Sequence, residues 1–270
     1  MIHLRLIGIG LSLWALLVPA AGRAFEQQHR AYTALLARHV TWTGTGHGST
    51  VDYAGFQRDQ AALEAYTGQL AAVTAEEFSH WSVSKRRAFL INAYNAFTLE
   101  PVLSRYPNRT PIRDLGNVVF DSPWKRRIFV LLGSPRSLDD VEHQLLRKGA
   151  DFDEPRIHFA LNCASIGCPA LRPEAYEASR LDAQLDDQVV RFLGDRTRNR
   201  FESASPATAL GSPIFRWYAE DFQAGFHGNR SVPQFSLTMP RRLAIRRTIA
   251  LEFRVASSGC ASRTTTGPST

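Results

Sequence analysis

Residues 156–172 read RIHFALNCASIGCPALR, and between His158 and Cys168 they gather an imidazole, the side-chain amide of Asn162 and two thiols into eleven positions. The chemistry these types support is nucleophilic. A thiol attacks only as its thiolate and needs a neighbouring base, and an amide can fix the tautomer of that base. Cys163 is the candidate nucleophile, with His158 or His143 as its base and Asn95 or Asn162 orienting the ring. Ile157, Phe159 and Leu161 alternate with His158, Ala160 and Asn162, a period of two that predicts a strand with His158 and Asn162 sharing one face. Ser165, Gly167 and Pro169 then turn the chain so that Cys168 can return toward Cys163. Strand ends and the loops after them are where a rigid scaffold presents functional side chains.

Three readings compete for these residues. The first is a thiol-dependent hydrolase or acyl transferase. The second is a metal site: His143, His158, Cys163 and Cys168 are all acceptable zinc ligands and Glu142 could serve as ligand or base, but the spacing matches no standard zinc pattern. The third is structural, with Cys163 and Cys168 joined as a disulfide, His158 a satisfied core residue and His143 hydrogen-bonded from a helix. A related possibility is a non-catalytic module that binds a small molecule or a peptide. Glu142 and His143 are adjacent on a helix and point to different faces, so together they do not make an acid–base couple.

Several elements must position this stretch. Residues 25–40 have helical spacing in Tyr32, Leu35, Leu36 and His39, and a Gly/Thr loop then leads to VDYAGF, expected to be short and extended. A second helix follows over residues 60–73, and Thr74 with Glu77 is a capping-box signature for a third. Ser84 is expected to cap a long helix running to about residue 103, with Pro101 a kink or early stop. That helix, KRRAFLINAYNAFTLEPVL, is apolar nearly all round and belongs inside a domain. Asn92 and Asn95 lie on one of its faces and, if buried, need partners; they either clamp a neighbouring loop or face a substrate. Short extended pieces are expected at NVVF (117–120) and RIFVLLG (127–133). Between them SPWK offers Trp124 and Lys125, a turn packed on the core or a ligand clamp. Ser137 with Asp140 opens a helix that Gly149 stops. Another helix is expected over residues 181–193, then an extended piece at 198–202 and an aromatic helix or turn, IFRWYAEDF, whose Trp217, Tyr218 and Phe222 read as core. Helices outnumber short, late strands, which predicts an α+β fold: one helix-rich domain with a small, mostly antiparallel sheet.

The chain has 270 residues and a formal charge of +7. Six arginines against one glutamate after Phe235 give +5, and Arg5 and Arg23 give +2, so residues 25–235 are neutral. A neutral body lacks the basic footprint of a nucleic-acid binder. Residues 1–24 read as a signal peptide, with Arg5, an apolar run over 7–18 and small residues at the cleavage region, and the run is short for a membrane span. The expectation is an exported protein, periplasmic or secreted, with no span once the leader is cleaved.

The segments VDYAGF, FLINAYNAFTL, SPWK, SLDDVEH, RIHFALNCASIGCP and IFRWYAEDF, in this order, resemble the DUF547 family, a domain of unknown function, over residues 50–235. The resemblance implies a domain without an assigned activity. Its motifs coincide with Asn92, Tyr94, Asn95, Trp124, Lys125, Glu142, His143, His158, Asn162, Cys163 and Cys168. A polar-bearing helix followed by a His-bearing strand is also similar to the papain and transglutaminase core, although there the Cys lies on the helix, where this chain has Asn92 and Asn95. The C-terminus departs from the DUF547 pattern, which ends in a strand like LDYDWSLN, whereas this chain ends SRTTTGPST. One choice of codons for residues 264–270, read in another frame, spells Tyr-Asp-Trp-Pro-Leu-Asn. The expectation is therefore an off-frame tail over residues 236–270, including the stray Cys260. Resequencing the gene checks this, since an uninterrupted frame with no hidden YDW-type ending removes the idea.

Overall fold

The computed structural model describes residues 24–107, 123–148, 153–164, 167–202, 208–210, 212–224, 226–228 and 234–235. The signal-peptide region, the extended piece at 117–120, the helix stop at Gly149 and the tail over 236–270 lie outside the described residues.

Helix α1 (Arg30–His39) buries Tyr32, Leu35 and Leu36. It runs directly into strand β1 (Val40–Trp42), which pairs antiparallel with β2 (Ser49–Val51). The segment VDYAGF, expected to be extended, is mostly helical instead. Val51 closes β2, and the Asp52 carboxylate accepts the Gly55 amide at 2.9 Å to cap α2 (Tyr53–Arg58). Glycine is needed at 55 because a Cβ there would collide with His39 and Asp52. Helix α3 (Gln60–Ala72) packs on α1, with Tyr66 stacked on Tyr32 at 4.7 Å between centroids. Thr74 caps α4 (Ala75–Ser79) by accepting from the Glu77 amide. The reciprocal half of that box is diverted, since the Glu77 carboxylate accepts from the Phe25 amide at 3.1 Å, tying the start of the described chain to this corner.

The long helix α5 (Val83–Leu103) is capped by Ser82 rather than Ser84, and Pro101 sits in its last turn without stopping it. Every residue from Ala88 to Leu99 is buried, as an all-round apolar helix requires. Strands β3 (Phe129–Leu131) and β4 (Ser134–Arg136) form a hairpin. Its two turn residues, Leu132 and Gly133, both have positive φ (54° and 73°), the backbone of a turn whose twist matches the flanking strands. Ser137 and Asp140 complete a capping box that starts α6 (Leu138–Asp140), which passes into a π-helical turn, Val141–Leu146.

Residues 156–162 are not a strand. Pro155–Phe159 is a 3-10 turn, opened by Glu154, whose carboxylate accepts the Arg156 amide. Period-two reasoning assumes that one face is wet, and here residues 154–161 are all buried, so alternation carried no directional information. Arg156 locks the turn: its guanidinium meets Glu154 at 2.7 Å, Asp182 at 2.6 Å and Asp186 at 2.5 Å, the last two on helix α7 (Leu181–Gly194). After β5 (Arg200–Glu202) and β6 (Thr208–Leu210), also an antiparallel pair, come two short helices, α8 (Ile214–Trp217) and α9 (Ala219–Gln223).

The architecture is α+β: helices with three small antiparallel pairs among the described residues. The likeness to a papain or transglutaminase core is not supported, because the strand it relies on is a 3-10 turn. Two apolar cores are present. The larger is built around α1, α3 and α5, and the smaller gathers Phe159, Val189, Phe192, Leu193, Ile214, Phe222, Phe226 and Phe235. Ile157 belongs to the first and Phe159 to the second, so His158 sits at the seam between them. No helix of the described residues is long and apolar enough to cross a membrane.

Candidate functional site

His158 is wholly buried, and its Nε2 lies 2.6 Å from Asp221 Oδ2 on α9. The same carboxylate receives a two-pronged bond from Arg147, Nε to Oδ2 at 2.7 Å and Nη2 to Oδ1 at 3.1 Å. Arg147 follows the π turn and donates through Nη1 to His143 Nδ1 at 2.7 Å, while His143 Nε2 faces Asp139 at 3.5 Å. The Tyr218 ring stacks on the His158 imidazole, with centroids 3.8 Å apart, and the Arg147 guanidinium carbon lies 4.9 Å from the centre of the Tyr218 ring. The π turn therefore contributes to this site: it brings His143 and Arg147, four apart, onto one edge, and such turns recur at functional sites.

Glu142, on the same turn, closes the other side. Its Oε1 is 4.0 Å from His158 Nδ1, and its charge lies close to the phenols of Tyr94 on α5 and of Tyr218. Burial raises the pKa of both phenols, and the nearby Glu142 charge reinforces the shift, so both remain protonated.

Protonation states follow from these contacts. Burial pushes His158 below the usual imidazole range, and this outweighs the opposing pull of Asp221 and Glu142. Burial works against ionising Asp221, but the hydrogen bonds from His158 and Arg147 prevail and hold its carboxyl below the usual range. A neutral imidazole facing an ionised carboxylate must donate from Nε2, which leaves Nδ1 as a lone pair. That nitrogen is buried and has no hydrogen-bond partner. The arrangement thus offers two acceptors, His158 Nδ1 and the Glu142 carboxylate, on one side of a ring whose tautomer Asp221 fixes.

The cysteines are arranged differently. Cys163 and Cys168 form a disulfide with Cα atoms 5.7 Å apart, so neither sulfur is a thiolate in this state. The loop they close is held by amides. Asn95 Nδ2 donates to the Ala160 carbonyl at 3.0 Å, and its Oδ1 accepts the Asn162 amide at 2.8 Å. The Asn162 side chain spans the loop, accepting from the Ala164 amide at 3.0 Å and donating to the Pro169 carbonyl at 2.7 Å. Asn92 clamps the backbone of Tyr176 in the same two-way fashion, at 2.8 and 2.9 Å. Both α5 amides thus hold neighbouring backbone. Trp124 lies in a 3-10 turn, Pro123–Lys125, partly buried against the larger core, and Lys125 is exposed. Among the described residues no group of three or more His, Cys, Asp or Glu is arranged to hold a metal ion.

The structure therefore brings together Glu142, His143 and His158, and adds Arg147, Tyr218 and Asp221, which sequence reasoning had not placed in a site. A signal for Asp221 existed: an acid inside the aromatic run IFRWYAEDF has to find a partner if the run is core.

The family described as "Protein of unknown function, DUF547" has a model that matches residues 78–193. The match includes Glu142, His158 and both bridged cysteines, while Tyr218 and Asp221 lie beyond it. No curated protein and no solved structure matches the chain.

Proposed function

We propose, from the match of residues 78–193 to the DUF547 family model and the geometry of the seam, that the protein is a non-catalytic module binding a small molecule or peptide beside His158. The observation that carries this is the pair of acceptors, His158 Nδ1 without a partner and Glu142 Oε1 at 4.0 Å from it. A buried acceptor left unpaired is costly, so a ligand offering N–H or O–H groups gains by filling it. Thiol-dependent hydrolysis or acyl transfer is disfavoured because Cys163 is bridged to Cys168. Zinc has little support, since His143 is engaged by Asp139 and Arg147 and the sulfurs by each other.

The test is thermal unfolding with a panel of small amines, alcohols and dipeptides, run on the wild-type protein and on Glu142→Gln. The reading expects at least one compound that raises the midpoint of the wild type and not of the variant. Esterase activity on p-nitrophenyl acetate that vanishes in Cys163→Ala would overturn it in favour of thiol chemistry.

A second reading is favoured by the Asp221–His158 bond. In a hydrolase-like or transferase-like reaction, Asp221 would hold the ring so that Nδ1 takes a proton from a bound hydroxyl or water. Ester or amide turnover lost in His158→Gln and kept in Cys163→Ala would select it.

A further inference from the structure

We propose that the Cys163–Cys168 bridge is a thiol–disulfide exchange site, opened by an external dithiol that attacks at Cys163. Three observations on the loop carry this, and none depends on the ligand reading above.

The two half-cystines are unequally placed. Cys163 is half-buried, whereas Cys168 is buried at 4% exposure and sits among core residues. Exchange proceeds by in-line attack of a thiolate on one sulfur, and Cys163 is the more exposed of the two half-cystines. Exposed bridges are also the labile ones, while fully buried ones resist exchange.

Hydrogen bonds independent of the bridge brace both ends of the loop. Asn95 pins its entry through the Ala160 carbonyl and the Asn162 amide, and Asn162 ties Ala164 to Pro169 across it. With a sequence separation of 5, the bridge contributes less loop-closure stabilisation than one spanning a long loop. A bridge whose flanks are held independently of it suits a redox couple better than a staple.

The anchor, finally, is rigid. Asn95 is buried on α5, and Ala160 and Leu161 are buried where the loop begins. With its start so anchored, the loop is expected to keep the two cysteines within reach after reduction, so that re-oxidation is intramolecular.

One thiolate of the dithiol attacks Cys163 Sγ, the Cys163–Cys168 bond breaks, and Cys168 leaves as a thiolate and takes up a proton. The second thiol of the dithiol, deprotonated, then attacks its partner sulfur in the mixed disulfide and releases Cys163, which is protonated in turn. The dithiol has become a cyclic or intramolecular disulfide, and the cystine has been reduced to two thiols. In reverse, the oxidised protein acts as a disulfide donor to a dithiol.

The experiment uses the full chain, with glutathione disulfide as the probe on Cys168→Ser and Cys163→Ser. Cys168→Ser, which keeps the outer thiol, should form the glutathione adduct at least about tenfold faster than Cys163→Ser, as read by intact mass. Equal rates, or the reverse order, overturn the proposal. A second measurement covers variants that fail to fold: wild-type protein is treated with dithiothreitol under native conditions, then alkylated and weighed. Double alkylation with an unchanged near-ultraviolet circular dichroism spectrum supports the exchange site. A bridge that survives until the protein unfolds, or a spectrum that collapses on reduction, overturns it.

Discussion

The Nε2 of His158 and the Oδ2 of Asp221, 63 residues apart in the chain, meet at 2.6 Å in the interior, and Arg147 donates to both oxygens of the same carboxylate. This contact joins the turn before Ala160 to helix α9 and links the larger and smaller cores. One acid neutralises an arginine and fixes a histidine tautomer, so Asp221 influences both the stability and the chemistry of the seam.

Removing that carboxylate should be costly. Asp221→Ala leaves the Arg147 charge and the His158 Nε2–H without their acceptor, and loss of one member of such a pair costs about 3 kcal/mol. Asp221→Asn retains an acceptor oxygen and should lose less. Urea unfolding of the three proteins measures this; a change within error for Asp221→Ala contradicts the described contacts.

Stability should fall as the solution is acidified from neutral, and His29 should be a main contributor. It is buried beside Tyr66, with Nδ1 at 2.8 Å from the phenol oxygen, and burial brings its pKa from 6.5 down to about 4. The unfolded chain thus binds the proton more readily, so the contribution is complete above the unfolded value and is lost as pH drops toward about 4. The shift corresponds to roughly 3 kcal/mol over that window. His158, also pushed down by burial, adds to the fall, and Asp221 adds a further loss below the ordinary aspartate range. Unfolding free energies of wild type and His29→Gln between those limits test the sign: the variant should show a flatter slope, and an unchanged slope contradicts the assignment.

Asn95 should prove a structural residue. Asn95→Ala strands the buried Ala160 carbonyl and the Asn162 amide and should destabilise by about 2 kcal/mol. Asn95→Asp keeps an acceptor for the Asn162 amide but has no donor for Ala160. Denaturation midpoints should therefore rank wild type first, with both variants clearly below it. An Asn95→Ala midpoint equal to wild type would mean that the clamp contributes nothing.

Much of the fold was legible in the sequence because its long signals are local. The all-apolar α5, the α7 helix ending at Gly194 and the Ser137–Asp140 capping box all follow from periodicity and capping chemistry. The turn at His158 was not, since a segment buried on every side has no wet face to reveal its period. VDYAGF was misjudged because Asp52, read as part of an extended piece, is a helix cap. In the site, Glu142, His143 and His158 stood out by residue type. Arg147, Tyr218 and Asp221 did not, because their partners lie across a sequence separation that only the tertiary fold closes.

Tyr218 stacks on His158 at 3.8 Å and contributes to the burial that depresses it. In Tyr218→Ala the imidazole gains solvent, and its pKa should move up toward the ordinary value. A histidine titration followed by nuclear magnetic resonance reads this directly; a downward or absent shift would show that burial by Tyr218 is not the cause.

The account rests on a neutral His158 held by Asp221 with Nδ1 left as an acceptor, and nitrogen-15 spectra of the imidazoles near neutral pH, at about pH 7, test it most directly. The expected result is one ring in the Nε2–H tautomer, with an unprotonated Nδ1, assigned to His158 by its loss in His158→Gln and altered in Asp221→Asn. A His158 ring that is doubly protonated at that pH, or that carries its proton on Nδ1, would contradict the account.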